Sequence, residues 1–175
     1  MLKKGIRSEI RRANRLYERF GEAIRRDRRI GPCLDCYGQA IRQTRELNRR
    51  LGITAACTVC AREGPGSCCF PGVENQYDWG LLLVNRLLGV NLPESQEISG
   101  KCFFLGPWGC KLMARHYYCQ RFLCPELQER LGPALCQQIR QTIEAELAVG
   151  WELEQSVSFW VKGKEEKKGD YSGHK

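Results

Sequence analysis

The sequence is poor in histidine and has no long apolar run. His116 and His174 are its only imidazoles, so a histidine-rich metal site is excluded, although His116, three residues before Cys119, could be a ligand or a proton donor. The longest strictly aliphatic run is Leu81-Leu82-Leu83-Val84. A membrane-spanning helix needs about 20 apolar residues, so no span is expected. The start, Met1-Leu2-Lys3-Lys4-Gly5, leads into a charged segment and lacks the apolar core of a secretory signal. The expected address is therefore cytoplasmic. Enzyme fingerprints are missing as well: phosphate loop, dinucleotide turn, H-E-x-x-H and nucleophile elbow. The sequence designates no catalytic residue, and whether the protein is an enzyme stays open.

Cysteine and arginine are the residues in excess. Eleven cysteines occur in 175 residues. In a reducing compartment such density favours metal binding or redox chemistry over disulfides. The net charge is +8, unevenly spread. Residues 1–50 hold 15 Lys+Arg against 6 Asp+Glu, a net +9, and the rest of the chain is close to neutral. Nine of the cysteines follow the basic segment. This asymmetry suggests two parts with different jobs.

The expected fold is mainly α, with three regions. Residues 1–52 read as a basic, antiparallel helical hairpin. Ile6, Ile10, Ala13, Leu16, Tyr17, Phe20, Ala23 and Ile24 recur at helical spacing. Ile30-Gly31-Pro32 should end this helix. A second helix then carries Tyr37, Ala40, Ile41, Thr44, Leu47 and Leu51, with Asp35 as its cap and Gly52 as its stop. Residues 53–161 read as a loop-rich, metal-stabilised cysteine domain with a C-terminal helix. Eight of the 18 glycines and five of the seven prolines fall between 53 and 125. One helix is expected there, around Tyr77–Leu88 and wide enough in its apolar face to be fully buried. So few aliphatic residues would leave the remaining loops to be held by metal crosslinks. Pro133 should open the C-terminal helix, which runs to about Gly150. Trp151–Val161 is either more helix or a short strand. Residues 162–175 are charged, lack aliphatics and are expected to be disordered.

The cysteines are ordered as Cys33-x2-Cys36, Cys57-x2-Cys60, Cys68-Cys69, Cys102-x7-Cys110-x8-Cys119-x4-Cys124, with Cys136 alone. A C-x2-C pair can turn both thiolates to one metal, with knuckle N–H groups aimed at sulfur. Two such pairs about 20 residues apart approximate a structural zinc pattern. Thiolate-only sites suit Zn²⁺ or iron–sulfur clusters and disfavour hard cations. In Cys68-Cys69 the neighbouring side chains should diverge, sending the sulfurs to different centres or to two edges of one polynuclear site. Cys33 and Cys36 sit in the hairpin connection and could complete a site, form a redox pair or bind nothing. Cys136 falls on an apolar helical face and reads as core.

From Cys57 to Cys124 the chain resembles the CxxCxxCC cysteine-cluster family (YkgJ-like), described as zinc- or iron-chelating domains. The first block is Cys57-Thr58-Val59-Cys60, a seven-residue gap, then Cys68-Cys69, a longer gap than is usual in that family. The second is similar to C-P-F-L…G-C…R-P-x-x-C-R-x-F-x-C, with Arg115, Cys119, Phe122 and Cys124 in register. His116 stands where the family has proline, and Gln120 where it has arginine. The resemblance implies metal ligation by Cys57, Cys60, Cys68, Cys69, Cys102, Cys110, Cys119 and Cys124. The cofactor would be zinc or iron, the latter possibly as a [4Fe–4S] cluster.

Three functions follow as expectations. The first is a metal-binding protein whose basic hairpin docks an anionic protein partner. The second is an iron–sulfur redox enzyme, or a methyltransferase-like protein, since flagellin lysine methylases carry a similar segment. No motif for the methyl donor is recognisable here. The third is a nucleic-acid or protein adaptor using residues 1–50. Glutamates are interspersed among those arginines and no aromatic stacking face appears, so nucleic acid is the less favoured partner. Lys101, Lys111, Arg115 and Arg121 flank thiols and would balance the negative charge of a thiolate centre.

Overall fold

The computed structural model describes residues 5–63 and 68–169. The described chain is mainly α-helical, as the periodicity predicts. Helix α1 spans Ile6–Arg25 and buries Ile6, Ile10, Ala13, Leu16 and Ile24 along one face. Helix α2 spans Ile30–Arg50. Its start corrects the sequence expectation. Asp27 Oδ1 accepts the backbone N–H of Arg29 at 2.9 Å and of Ile30 at 3.1 Å, so Asp27 caps α2. Ile30-Gly31-Pro32 forms the first turn and does not follow a break. Proline is tolerated there because first-turn N–H groups have no partner within the helix. Asp35 lies inside α2 and is not its cap. The stop is as expected: Gly52 follows α2 with φ 68°, a left-handed conformation glycine adopts without steric penalty.

The stretch after Gly52 is more helical than its composition suggests. Helix α3 occupies Ile53–Glu63, where a loop was expected. Alanines at 55, 56 and 61 favour helix, and Ile53 and Ala61 are buried. A 3-10 turn follows at Val73–Gln76. Helix α4, Trp79–Leu87, is the buried helix the sequence predicts. Asp78 caps it, its Oδ1 accepting the N–H of Gly80 at 2.9 Å and of Leu81 at 3.0 Å. Strands β1 (Leu105–Gly106) and β2 (Gly109–Cys110) form a small antiparallel hairpin that sets Leu105 opposite Cys110. A short helix α5, Tyr117–Arg121, precedes α6, Pro125–Gly169. Helix α6 is broken once, at Gly132 with φ 73° and ψ 168°.

The long arm of α6 begins at Pro133 and passes Gly150 without stopping. Trp151–Val161 is thus helix and not strand. Leu153, Val157 and Val161 recur every four residues and are fully buried. Trp160 packs edge-on against Phe20 and donates its indole N–H to Asp27 Oδ2 at 3.2 Å. These contacts draw the helix beyond the expected boundary at 162. Lys164 sits over the Trp160 ring and Glu165 pairs with Arg12 at 3.6 Å, so residues 162–169 are helical where disorder was expected. Residues 170–175 lie outside the described residues.

Helix α1 packs chiefly on α4, and α2 chiefly on α6; α1 and α2 touch each other far less. The main core accordingly joins the basic segment to the rest. Ile10, Ile24, Tyr37 and Ile41 share it with Leu82, Leu83, Phe104, Leu153 and Val157. A second cluster holds Leu47, Ile53, Leu123, Leu127, Ile139 and Ile143, and includes Cys136 as the core reading predicts.

The crossing of α2 and α6 is tight at Gly150. A methyl group there would lie 2.7–2.9 Å from the far end of the Tyr37 ring. Tyr37 is itself packed in the core and has little room to retreat. Gly150→Ala is expected to lower stability by about 1–3 kcal/mol, the usual cost of overpacking. Urea denaturation checks this. Gly163→Ala, in open space on the same helix, should be neutral or slightly stabilising.

Candidate thiol site

The eight cysteines from Cys57 to Cys124 come from five places in the fold. Cys57 and Cys60 lie on α3, one turn apart. This C-x2-C is therefore helical and not the expected knuckle. Cys68 and Cys69 precede the 3-10 turn. Cys102 precedes the β-hairpin and Cys110 ends its second strand, Cys119 lies on α5 and Cys124 immediately precedes α6. The backbone ties the two distant blocks together, since the N–H of Cys102 donates to the carbonyl of Cys69 at 2.9 Å.

The thiols act on one another electrostatically. Burial pushes Cys57 up, and Cys124, Cys69 and Cys60 add to the shift. Burial raises Cys102 to about 12, with Cys110, Glu74 and Cys69 contributing in the same direction. Cys119 is raised to about 11, again by burial first, then by Cys110 and Cys69. Cys110 is raised by burial, and Arg115 opposes that shift. Cys68 is the exception. A hydrogen bond with Cys69 holds it below the usual thiol range, against burial and the nearby Cys57, Cys119 and Cys60. The two adjacent sulfurs thus meet, where divergence was expected. Every one of the eight lies within electrostatic reach of another. Among the described residues, however, no three His, Cys, Asp or Glu side chains stand in metal-ligating geometry. Among the described residues no cysteine forms a disulfide.

Backbone N–H groups do point at sulfur, at the hairpin. The N–H of Phe104 bonds Cys102, and the N–H of Leu112 bonds Cys110. Each sits two residues beyond its cysteine, and each favours thiolate over thiol. The Tyr77 hydroxyl approaches Cys119 Sγ at 3.8 Å and also accepts the N–H of His116 at 3.0 Å. Arg115 is the common cation: its charge favours the thiolate at Cys57, Cys110 and Cys119. Lys111 is engaged by Glu97 and Arg121 by Glu144, so those two flanking cations serve ion pairs.

His116 caps α5, its Nδ1 accepting the N–H of Tyr118 at 3.4 Å. Gln120, at the family's arginine position, is buried. It donates to Glu146 Oε1 at 2.8 Å and to the carbonyl of Arg115 at 3.0 Å. Cys33 and Cys36 lie within α2 and not in the hairpin connection where they were expected. Cys136 approaches the carbonyl of Gln128 at 3.8 Å.

Three residues that hold the site escaped the sequence reading. Asn85, fully buried on α4, binds the loop leading to Arg115. Its Oδ1 accepts the N–H of Met113 at 2.9 Å and of Ala114 at 3.0 Å, and its Nδ2 donates to the carbonyls of Ala114 at 2.9 Å and Leu81 at 3.0 Å. Arg45, on α2, donates to the carbonyl of Leu112 at 2.9 Å. Tyr77 orients Cys119 and His116. The one available signal was Asn85 itself, a polar residue directly after the aliphatic run Leu81–Val84 in a helix expected to be buried.

The chain matches no family model, no curated protein and no solved structure.

Proposed function

We propose that the protein binds zinc or an iron–sulfur cluster through Cys57, Cys60, Cys68, Cys69, Cys102, Cys110, Cys119 and Cys124. The observation that supports this reading is that thiols from two distant stretches of sequence lie close enough to act on one another's charge. Burial and neighbouring sulfurs push Cys57, Cys102, Cys110 and Cys119 up together. A soft cation reverses the sign of that environment, because each thiolate is then stabilised by the charge it faces. The N–H groups aimed at Cys102 and Cys110, and the charge of Arg115, suit thiolates better than thiols. By donor chemistry the set fits zinc or iron and not magnesium or calcium.

The metal would supply crosslinks between α3, the hairpin and α5, beyond the apolar anchors Phe104, Leu105 and Leu112 that already fix the hairpin in the core. When an iron–sulfur cluster is bound, it supplies one-electron chemistry; the chain's own residues position the sulfurs and balance their charge. The test is metal and acid-labile sulfide analysis of anaerobically purified protein. Brown protein with iron and sulfide selects the cluster, and colourless protein with stoichiometric zinc selects the structural ion. The double variant Cys102→Ser with Cys119→Ser is expected to lose the metal in either case. Wild-type protein with neither metal overturns the reading.

A further inference from the structure

Beside the thiols, on the far side of Arg115 and His116, lies a cavity of about 460 Å³. That volume lies within the range of small-molecule sites, roughly 300–1,000 Å³. Tyr37 from α2, Asp78 at the start of α4, and Trp151 and Glu154 from α6 line it, together with Gln76 and Tyr117. Leu81 and Leu147 supply apolar wall.

Two polar groups there have no hydrogen-bond partner among the described residues. Tyr37 is 2% exposed, and burial and nearby carboxylates act on its hydroxyl without any hydrogen bond. The ring end that carries this hydroxyl reaches Gly150, itself on the cavity wall. Glu154 has neither hydrogen bond nor ion pair; burial and the charge of Asp78 push its carboxyl up to about 7. Asp78 and Glu154 stand close. A methyl on Gly80 would lie 3.1 Å from Ser158 Oγ, 3.2 Å from Asp78 Oδ1 and 3.6 Å from Glu154 Oε1. A third carboxylate, Glu146, acts on Tyr37 and is held by Gln120.

The one guanidinium on the wall, Arg115, acts on the Tyr37 hydroxyl but not on that group alone. Arg115 acts on Cys57, Cys110 and Cys119, so its charge is shared with the thiols. The α4–α6 side of the cavity is left acidic, with an indole at its rim. Trp151 is 64% exposed, with nothing in the fold covering it.

We infer that this cavity binds a small organic ammonium ion. Its N–H groups would donate to Glu154, Asp78 and the Tyr37 hydroxyl. Its alkyl part would lie on Leu81 and Leu147 and its charge near the Trp151 indole, which attracts cations through its ring face. A bound cation would draw the Glu154 carboxyl back toward its ordinary range. An anion would face the Asp78 and Glu154 carboxylates, and a neutral alcohol would leave that acidic pair without a counter-charge. The inference is independent of the thiol centre.

The test is calorimetric titration of the full chain at pH 8 with n-hexylammonium chloride, with hexan-1-ol, sodium hexanoate and magnesium chloride run in parallel. Saturable one-to-one binding of the ammonium alone is expected. Glu154→Gln should weaken it at least tenfold. Trp151→Ala, at an exposed position that leaves folding intact, should weaken it about two- to fivefold, the worth of an exposed cation–π contact. No saturable heat with the ammonium overturns the inference. So does equal binding of hexanol or hexanoate, saturation by magnesium at the same carboxylates, or unchanged affinity in both variants.

Discussion

Asn85→Ala is expected to destabilise the fold by about 3–5 kcal/mol. The side chain is fully buried and all its hydrogen-bonding capacity toward the 113–114 backbone is used. Removing it leaves the N–H groups of Met113 and Ala114 without acceptors in the interior. Each such buried group costs about 1–3 kcal/mol, and the vacated volume adds a cavity term. The effect should reach beyond stability. The loop anchored by Asn85 carries Arg115 and leads into α5 with Cys119, so the two cysteine blocks lose their alignment. Asn85→Asp separates the contributions, because it keeps the acceptor for both N–H groups and loses the donor to Leu81 and Ala114. Chemical denaturation measures the stability loss, and thiol reactivity of the metal-free protein reports the alignment. Asn85→Ala with wild-type stability would contradict this account of how the site is held.

The second large effect is a reversal of pH dependence on metal loading. In protein freed of metal, Cys102 and Cys119 hold their protons more tightly folded than unfolded. Their folded values are about 12 and about 11, against an ordinary thiol value of 9.0. A raised acid contributes stability that is fully present below the unfolded value and is lost as pH climbs to the folded one. Metal-free protein should therefore weaken between about pH 9 and 12. The loss should be about 3 kcal/mol, allowing for solvent screening in a partly open site. Metal-loaded protein should behave oppositely. Its ligands are already deprotonated, so protons compete with the metal and stability falls toward acid. Thermal unfolding of both forms across pH 5–11 checks the two slopes. Identical profiles would mean that no thiolate centre forms.

Helix periodicity made the architecture legible where apolar residues recur on one face. The stripes of α1 and α2 and the buried run of α4 match the structure for that reason, except that Ala23 of α1 is exposed. Helix α3 was missed because cysteines, threonines and alanines carry no clear stripe, and only Ile53 and Ala61 anchor it. The end of α6 was missed because its charged last turns looked solvated, while Trp160 and Val161 tie the preceding turn to α1. The start of α2 was misplaced because a proline was read as a break, when Asp27 upstream caps the helix through it. The thiol site was legible as a list of cysteines in order. Its supports were not, because Asn85, Tyr77 and Arg45 act through contacts 28–67 residues away in sequence. The cavity by Glu154 was hidden for the same reason. Its walls come from α2, α4, the turn at Arg115 and α6, and no local pattern links them.

The most direct test is X-ray absorption at the edge of whichever metal purifies with the protein. A shell of about four sulfurs, near 2.3 Å for zinc, is the predicted result. A shell dominated by oxygen and nitrogen, or a metal that stays bound after Cys102→Ser and Cys119→Ser, would contradict it.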